Sequence, residues 1–191
     1  MTEGHIQLDG RALRVLAHPL RARLLSELRV HGAATATTLA ERLTTNTGAT
    51  SYHLRKLAEV GLVEETGDGR GKQRFWAAAQ ESHSWTDADA VGDPDALAAA
   101  GWLRQHYWAG MSEKVARWED ARPRWPAAWR DAAGMSDMLL DLTPEQLRAL
   151  NDEIDEVVLR HQTAAARTPA EGARRVTFLY YVLPTEPDDV P

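Results

Sequence analysis

The sequence predicts a mainly α-helical protein with one β-hairpin, divided into two parts of opposite charge. Three observations carry this prediction. Residues 1–80 hold four short apolar-periodic segments, each bounded by a cap or a breaker, and then two β-prone runs around a glycine-rich turn. Those 80 residues carry 11 Lys/Arg against 8 Asp/Glu, whereas residues 81–191 carry 11 against 20. The second part is again helical, with a long apolar stripe from Leu103 and a capped start at Thr143.

Leu13, Leu16 and Ala17 mark a first short helix. Pro19 suits the first turn of a second, where its missing N–H is no loss. Leu20, Leu24, Leu25 and Leu28 share that helix's apolar face, and Gly32 suits a left-handed cap. Thr35 can cap a third helix holding Leu39, Ala40 and Leu43. Asn46 then caps a fourth, Thr47 to Val60, which buries Ala49, Leu54 and Leu57 and stops at Gly61. The hairpin pairs residues 62–65 with residues 73–76 across a turn with three glycines.

Residues 81–95 are acidic and turn-rich and read as a linker. From Ala96 to about Asp120, Leu103, Tyr107, Met111, Val115 and Trp118 recur at helical spacing, and Pro123 and Pro126 end the pattern. Residues 137–142 are a candidate strand. Thr143, Pro144 and Glu145 start a helix whose expected buried face is Leu147, Leu150, Ile154, Val157, Val158 and His161. Val176 to Leu183 is β-branched and aromatic, a second candidate strand, and the tail from Pro184 is too polar to pack. The expected domains are therefore 1–80, a linker at 81–95, and a helical dimerisation region with a short β element at 96–191.

Composition excludes several chemistries. The chain has no cysteine, hence no disulfide framework, thiolate metal site or cysteine nucleophile. No apolar run approaches the ~18 residues of a membrane span, and the start Met-Thr-Glu-Gly-His lacks a secretory pattern, so a cytoplasmic protein is expected. No HExxH, GxSxG or paired-carboxylate motif is present. Gly67, Gly69 and Gly71 lie between two strands rather than before a helix, so they read as a hairpin tip and not a phosphate loop. Neither enzymatic activity nor a cofactor is expected.

Two short helices joined by a tight turn and followed by a ribbon suit double-stranded DNA, whose major groove admits one α-helix. The helix to insert is the fourth. Its outer face offers Thr47, Gly48, Ser51, Tyr52, Arg55 and Lys56, with Asn46 and Thr50 beside them as further candidate DNA contacts. Thr47, Ser51 and Arg55 lie four apart on one line. Arg55 can grip a guanine or anchor to phosphate; both stay open. Arg70, Lys72 and Arg74 alternate along the hairpin, a spacing that straddles a phosphate backbone. His53 reads as packing within the helix, and Arg21 and Arg23 as solvated surface.

The run from Leu16 to Gly32, then TATTLAERL, then TGATSYHLRKLAEVGLVEE and GRGKQRFW, resembles the winged helix-turn-helix of ArsR-like bacterial transcriptional regulators, in particular an actinobacterial group with an added C-terminal region. The resemblance spans roughly residues 8–79 and is most specific at residues 51–57. It implies a homodimer reading an inverted repeat, with Thr47, Gly48, Ser51, Tyr52 and Arg55 on the recognition helix and Arg70, Lys72 and Arg74 on the wing. Thr38 departs from it, standing where many relatives have an acid that completes a capping box.

Metal sensing fits this chain poorly. His106 has no ligating neighbour at helical spacing, and His161 faces the apolar stripe. Leu103, Tyr107, Met111, Val115 and Trp118 are the candidate dimer stripe, since Trp and Met are enriched at such interfaces. Trp102, Trp108, Trp125 and Trp129 are candidates to bound a pocket for a small organic effector. The competing reading is a winged helix that docks a protein partner without specific DNA binding, which the acidic second half permits.

Overall fold

Caps written into the sequence set the helix boundaries. Asp9 Oδ1 accepts from the Ala12 amide at 2.7 Å and opens α1 (Gly10–Leu16). His18 Nδ1 accepts from the Leu20 amide at 3.1 Å and opens α2 (Pro19–His31). Thr35 and Asn46 open α3 (Ala36–Arg42) and α4 (Thr47–Ala58) in the same way, at 3.1 and 2.8 Å. Thr38, lacking the acid of a capping box, sets its hydroxyl 3.0 Å from that of Thr35. Gly32 ends α2 at φ 78°, in the left-handed region. The structure, a computed structural model, describes residues 5–67, 74–168 and 170–185. It divides into two units, residues 1–116 and 117–191.

In the first unit β2 (Ala34–Thr35), β3 (Val63–Glu65) and β4 (Phe75–Ala78) form an antiparallel sheet in the order β2-β4-β3. The second hairpin strand lies two residues beyond the expected 73–76. With Val63 opposite Ala78 and Glu65 opposite Trp76, both Val63 and Trp76 are buried. A one-residue slip would turn them to solvent, so burial fixes the register. The wing tip, with Arg70 and Lys72, lies outside the described residues.

A second small sheet is long-range. β1 (His5–Gln7) pairs in parallel with β5 (Ser82–Ser84), and the His5 ring nitrogens bond the hydroxyls of Ser82 and Ser84, both at 2.8 Å. Residues 81–95, expected as a linker, thus hold β5 and then a 3-10 turn (Asp87–Ala90) closed by a Thr86–Asp89 capping box. The next helix, α5 (Pro94–Ala121), sends Ala96, Ala99, Ala100 and Leu103 into the same core as α1 to α4. These four lie on one helical face. Their small size permits close approach: a Cβ on Gly10 would stand 3.2 Å from that of Ala96. Arg14 on α1 also pairs with Asp93.

One half-buried polar cluster ties α2, β5 and α5. Arg29 donates through Nε to the Gln80 carbonyl at 3.0 Å and through Nη1 to His83 Nδ1 at 2.5 Å. A guanidinium only donates, so His83 Nδ1 accepts and its Nε2–H is left to donate to Tyr107 Oη at 3.0 Å. Burial, then the charge of Arg29, hold the His83 pKa down at about 3. Burial pushes Tyr107 up to about 12.

The second unit comprises the end of α5, a 3-10 turn (Arg122–Arg124), α6 (Ala127–Ala132) and α7 (Pro144–Arg167). Thr143 and Gln146 cap α7 reciprocally, at 2.9 and 3.3 Å. Two expectations are corrected here. Residues 137–142 and 176–183 are not strands, because β-propensity makes a strand only where another edge pairs with it. The apolar face of α7 is uncovered as well. Leu147, Leu150, Ile154 and Val158 are half-buried, Val157 and His161 are exposed, and none of the described residues from 117 to 185 is buried.

His83 should make the fold acid-sensitive. A histidine whose folded pKa lies below its unfolded value of 6.5 stabilises the fold above pH 6.5, and that contribution fades as pH falls towards 3. Unfolding free energy should drop by about 2 kcal/mol between pH 7 and pH 5. Urea denaturation followed by circular dichroism checks this, and His83→Gln should flatten the slope.

Candidate nucleic-acid interface

The turn between α3 and α4 is tight: Thr44 adopts φ 52° and the Thr45 amide reaches back to the Ala40 carbonyl at 2.9 Å. Beyond it, α4 is anchored by one face. Thr50, Leu54 and Leu57, at i, i+4 and i+7, are fully buried. The expected inner residue Ala49 is only half-buried, so the helix is rotated relative to the sequence reading. Thr50 is accordingly corrected as a DNA-contact candidate. Its hydroxyl donates to the Asn46 carbonyl at 3.0 Å, satisfying a polar group inside the core. Asn46 stays at the surface, but its side-chain oxygen is engaged as the cap of α4.

The opposite face points outward. Thr47, Gly48, Tyr52 and Arg55 are exposed, and Ser51 and Lys56 half-buried. Gly48 serves the cap too, since a Cβ there would stand 3.3 Å from Asn46 Oδ1. Lys56 is engaged with both Glu59 oxygens at 2.9 Å, and its ammonium lies 5.9 Å from the centre of the Tyr52 ring. Arg55 makes no ion pair among the described residues. At the base of the wing Arg74 pairs with Glu65 at 2.7 Å.

Side chains behind α4 hold it in place. His53 lies ring against ring with His18, centroids 4.4 Å apart, so it packs as expected. Burial lowers the pKa of both rings, with Arg21 adding to it, and both stay neutral near pH 7. Arg23 is exposed as expected, Arg21 is half-buried, and both reach carbonyls at helix ends. Arg21 donates to the carbonyls of Val15 and Arg14, and Arg23 to that of Leu43 at 3.4 Å. Side chain-to-backbone contacts of this kind leave no periodic trace in sequence.

The expected dimer stripe on α5 is divided. Leu103 is fully buried within its own chain and Tyr107 bonds His83, while Met111 is half-buried and Val115 exposed. Trp118 packs edge-on against Trp125, at 5.5 Å. The tryptophans expected to bound a ligand pocket fall in both units. Trp102 stacks on His106 at 4.8 Å, and Trp108, six residues on, is on another side of the helix and more than half exposed. Trp125 and Trp129 meet edge-on at 5.8 Å in the second unit.

The cap and the outer face should separate by experiment. Asn46→Ala should cost about 1 kcal/mol of stability through the lost cap. Arg55→Ala, altering only surface, should stay within about 0.5 kcal/mol in the same urea titration.

Residues 16–66, from the end of α1 through β3, match the helix-turn-helix domain family. The chain is similar to a possible transcriptional regulator for arsenical resistance, with 31% identity over 58% of this chain and 96% of that one (TM-score 0.33). It is similar to the homodimeric winged helix-turn-helix DNA-binding domain of a possible ArsR-family transcriptional regulator from Mycobacterium bovis, with 27% identity over 37% of this chain and 63% of that one (TM-score 0.33). Reduced HlyU from Vibrio cholerae is 25% identical over 42% of this chain and 77% of its own (TM-score 0.32). No curated protein matches. With a helix-turn-helix domain at residues 16–66 and 31% identity along 96% of one relative, the chain belongs to the ArsR-like winged helix-turn-helix family of transcriptional regulators.

Proposed function

We propose that the protein is a sequence-specific regulator that binds an inverted-repeat operator as a homodimer, reading each half-site with α4. The observation that carries this is the division of α4. Thr50, Leu54 and Leu57 fix the helix in the core, while Thr47, Tyr52 and Arg55 project into solvent from its N-terminal three turns. A helix presented in this way enters the major groove with its first turns leading, and its first-turn amides at Thr47 and Gly48 suit a phosphate. Arg55 is the base-reading candidate. Lys56 and Arg74 would exchange their carboxylate partners for phosphate, and Arg70 and Lys72 would extend the contact along the wing.

In a dimer the two α4 helices enter successive major grooves about 10 base pairs apart. The outward part of α5, with Met111, Val115 and Trp118, is the helical part of the proposed dimer contact. A small organic molecule that favours one spacing of the two helices would act by shifting that equilibrium. The paired rings of Trp125 and Trp129 are the aromatic surface proposed to meet it. The family is of transcription-factor type, and no described helix is long and apolar enough to cross a membrane.

Genome-wide selection of bound fragments, followed by fluorescence anisotropy on the selected operator, tests the reading. Arg55→Ala should weaken operator binding by about 1–3 kcal/mol, and Lys72→Ala should reduce the salt slope by about 1. Thr50→Val, buried in the core, should leave affinity unchanged. Weak binding to every fragment, indifferent to salt and to Arg55, overturns the proposal in favour of a protein-docking winged helix.

A further inference from the structure

Residues 176–183, Val-Thr-Phe-Leu-Tyr-Tyr-Val-Leu, form the most strongly β-prone stretch in the chain, without charge, glycine or proline. In the second unit they are exposed and belong to no sheet. One side of the segment is already placed: Tyr180 Oη donates to Asp155 Oδ1 on α7 at 2.8 Å, and the Phe178 ring lies 5.9 Å from that of Tyr180. Alternate residues of a strand share a side, so in a strand Val176, Phe178, Tyr180 and Val182 go together.

We propose that residues 176–183 pair antiparallel with the same segment of a second copy, centred on Leu179, to form a two-stranded sheet between chains. This names a seam for the homodimer proposed above and rests on that reading for its partner. Three observations select a second copy. First, the segment is complementary to itself. About Leu179, Val176 faces the second copy's Val182 and Phe178 faces its Tyr180, while Leu179 faces its own counterpart; such apolar and aromatic cross-strand pairs stabilise sheets.

Second, the flanking charges fit. The segment is preceded by Arg174 and Arg175 and followed by Glu186, Asp188 and Asp189. Antiparallel pairing brings the basic end of one copy beside the acidic end of the other, whereas parallel pairing would set like against like. With no charge inside the seam, two units that each carry 9 Lys/Arg and 14 Asp/Glu over residues 117–191 do not repel there.

Third, the exposed area is large. Seven large apolar side chains between residues 176 and 183 are at least 40% exposed. Together they present on the order of 600 Å². That is the upper end of a monomer's largest apolar patch, usually about 300–600 Å², and most of the roughly 800 Å² that a standard interface takes from each partner.

The chain contains no cysteine, so one can be introduced cleanly in the full-length protein. Leu179→Cys should form a disulfide-linked dimer on mild oxidation, because facing residues of antiparallel strands lie about 4.5–5.5 Å apart at Cα, within disulfide reach. Val30→Cys, exposed on α2, should not. In sedimentation equilibrium Leu179→Asp should raise the dimer dissociation constant by roughly tenfold or more. The far-UV spectrum and DNA-binding unit should stay intact, since Leu179 is outside that unit's core. A dimer that neither cross-links at Leu179→Cys nor weakens with Leu179→Asp overturns the seam and leaves the homodimer standing. A wild-type chain that stays monomeric at micromolar concentration overturns both. Cosedimentation of such a monomer with phosphatidylcholine vesicles would assign the segment to a lipid surface instead. Operator binding is read separately by anisotropy, so failure of DNA recognition is not confused with failure of the seam.

Discussion

The buried face of α4 is the constraint on which the candidate interface depends. Thr50, Leu54 and Leu57 fit into a leucine-rich core built from α1, α2, α3 and β3, and rotation of α4 about its axis would expose two leucines. Full burial of a leucine is worth about 1.5–3 kcal/mol, so the helix is held in one rotation. Thr47, Tyr52 and Arg55 therefore project outward in directions set by the rotation of the helix. The Thr50 hydroxyl shows how a polar residue can belong to such a face. It bonds the carbonyl of its own helix cap and so leaves no unsatisfied group behind.

The same core extends further along the chain than its helix-turn-helix segment. α5 closes it with three alanines and Leu103, and β1 with β5 seals the edge. The Arg29–His83–Tyr107 cluster gives this closure a definite geometry. His83 bonds Arg29 on one side and Tyr107 on the other, so α5 cannot shift along α2 without breaking a bond to His83. α2 in turn packs on α4.

Charge follows the same division of labour. The net −6 of the chain conceals a first 80 residues with a basic excess, of which Arg55 and Lys56 lie on α4 and Arg74 immediately before β4. The acidic residues concentrate in the other part, several of them along α7. That part combines a well-capped amphipathic helix with two apolar segments and no buried residue among those described. Such a composition is stable only if its apolar surface is covered.

The caps, the breakers and the order of the helices in the first 80 residues were legible in the sequence because each is local. Thr35, Asn46 and Thr143 act within three residues of themselves, and Gly32 acts on its own backbone. The outer face of α4 was legible for the same reason, being a matter of helical spacing. Tertiary structure decided what depended on distant partners. It turned Thr50 inward, moved the hairpin register to bury Trp76, and paired β1 with a strand 77 residues away. It also drew Ala96 to Leu103 from the expected dimer helix into the first core, and left residues 176–183 without the edge that would make them a strand. Local rules fix where an element starts and stops; only burial and pairing, which join residues far apart in the chain, fix which side of it faces in.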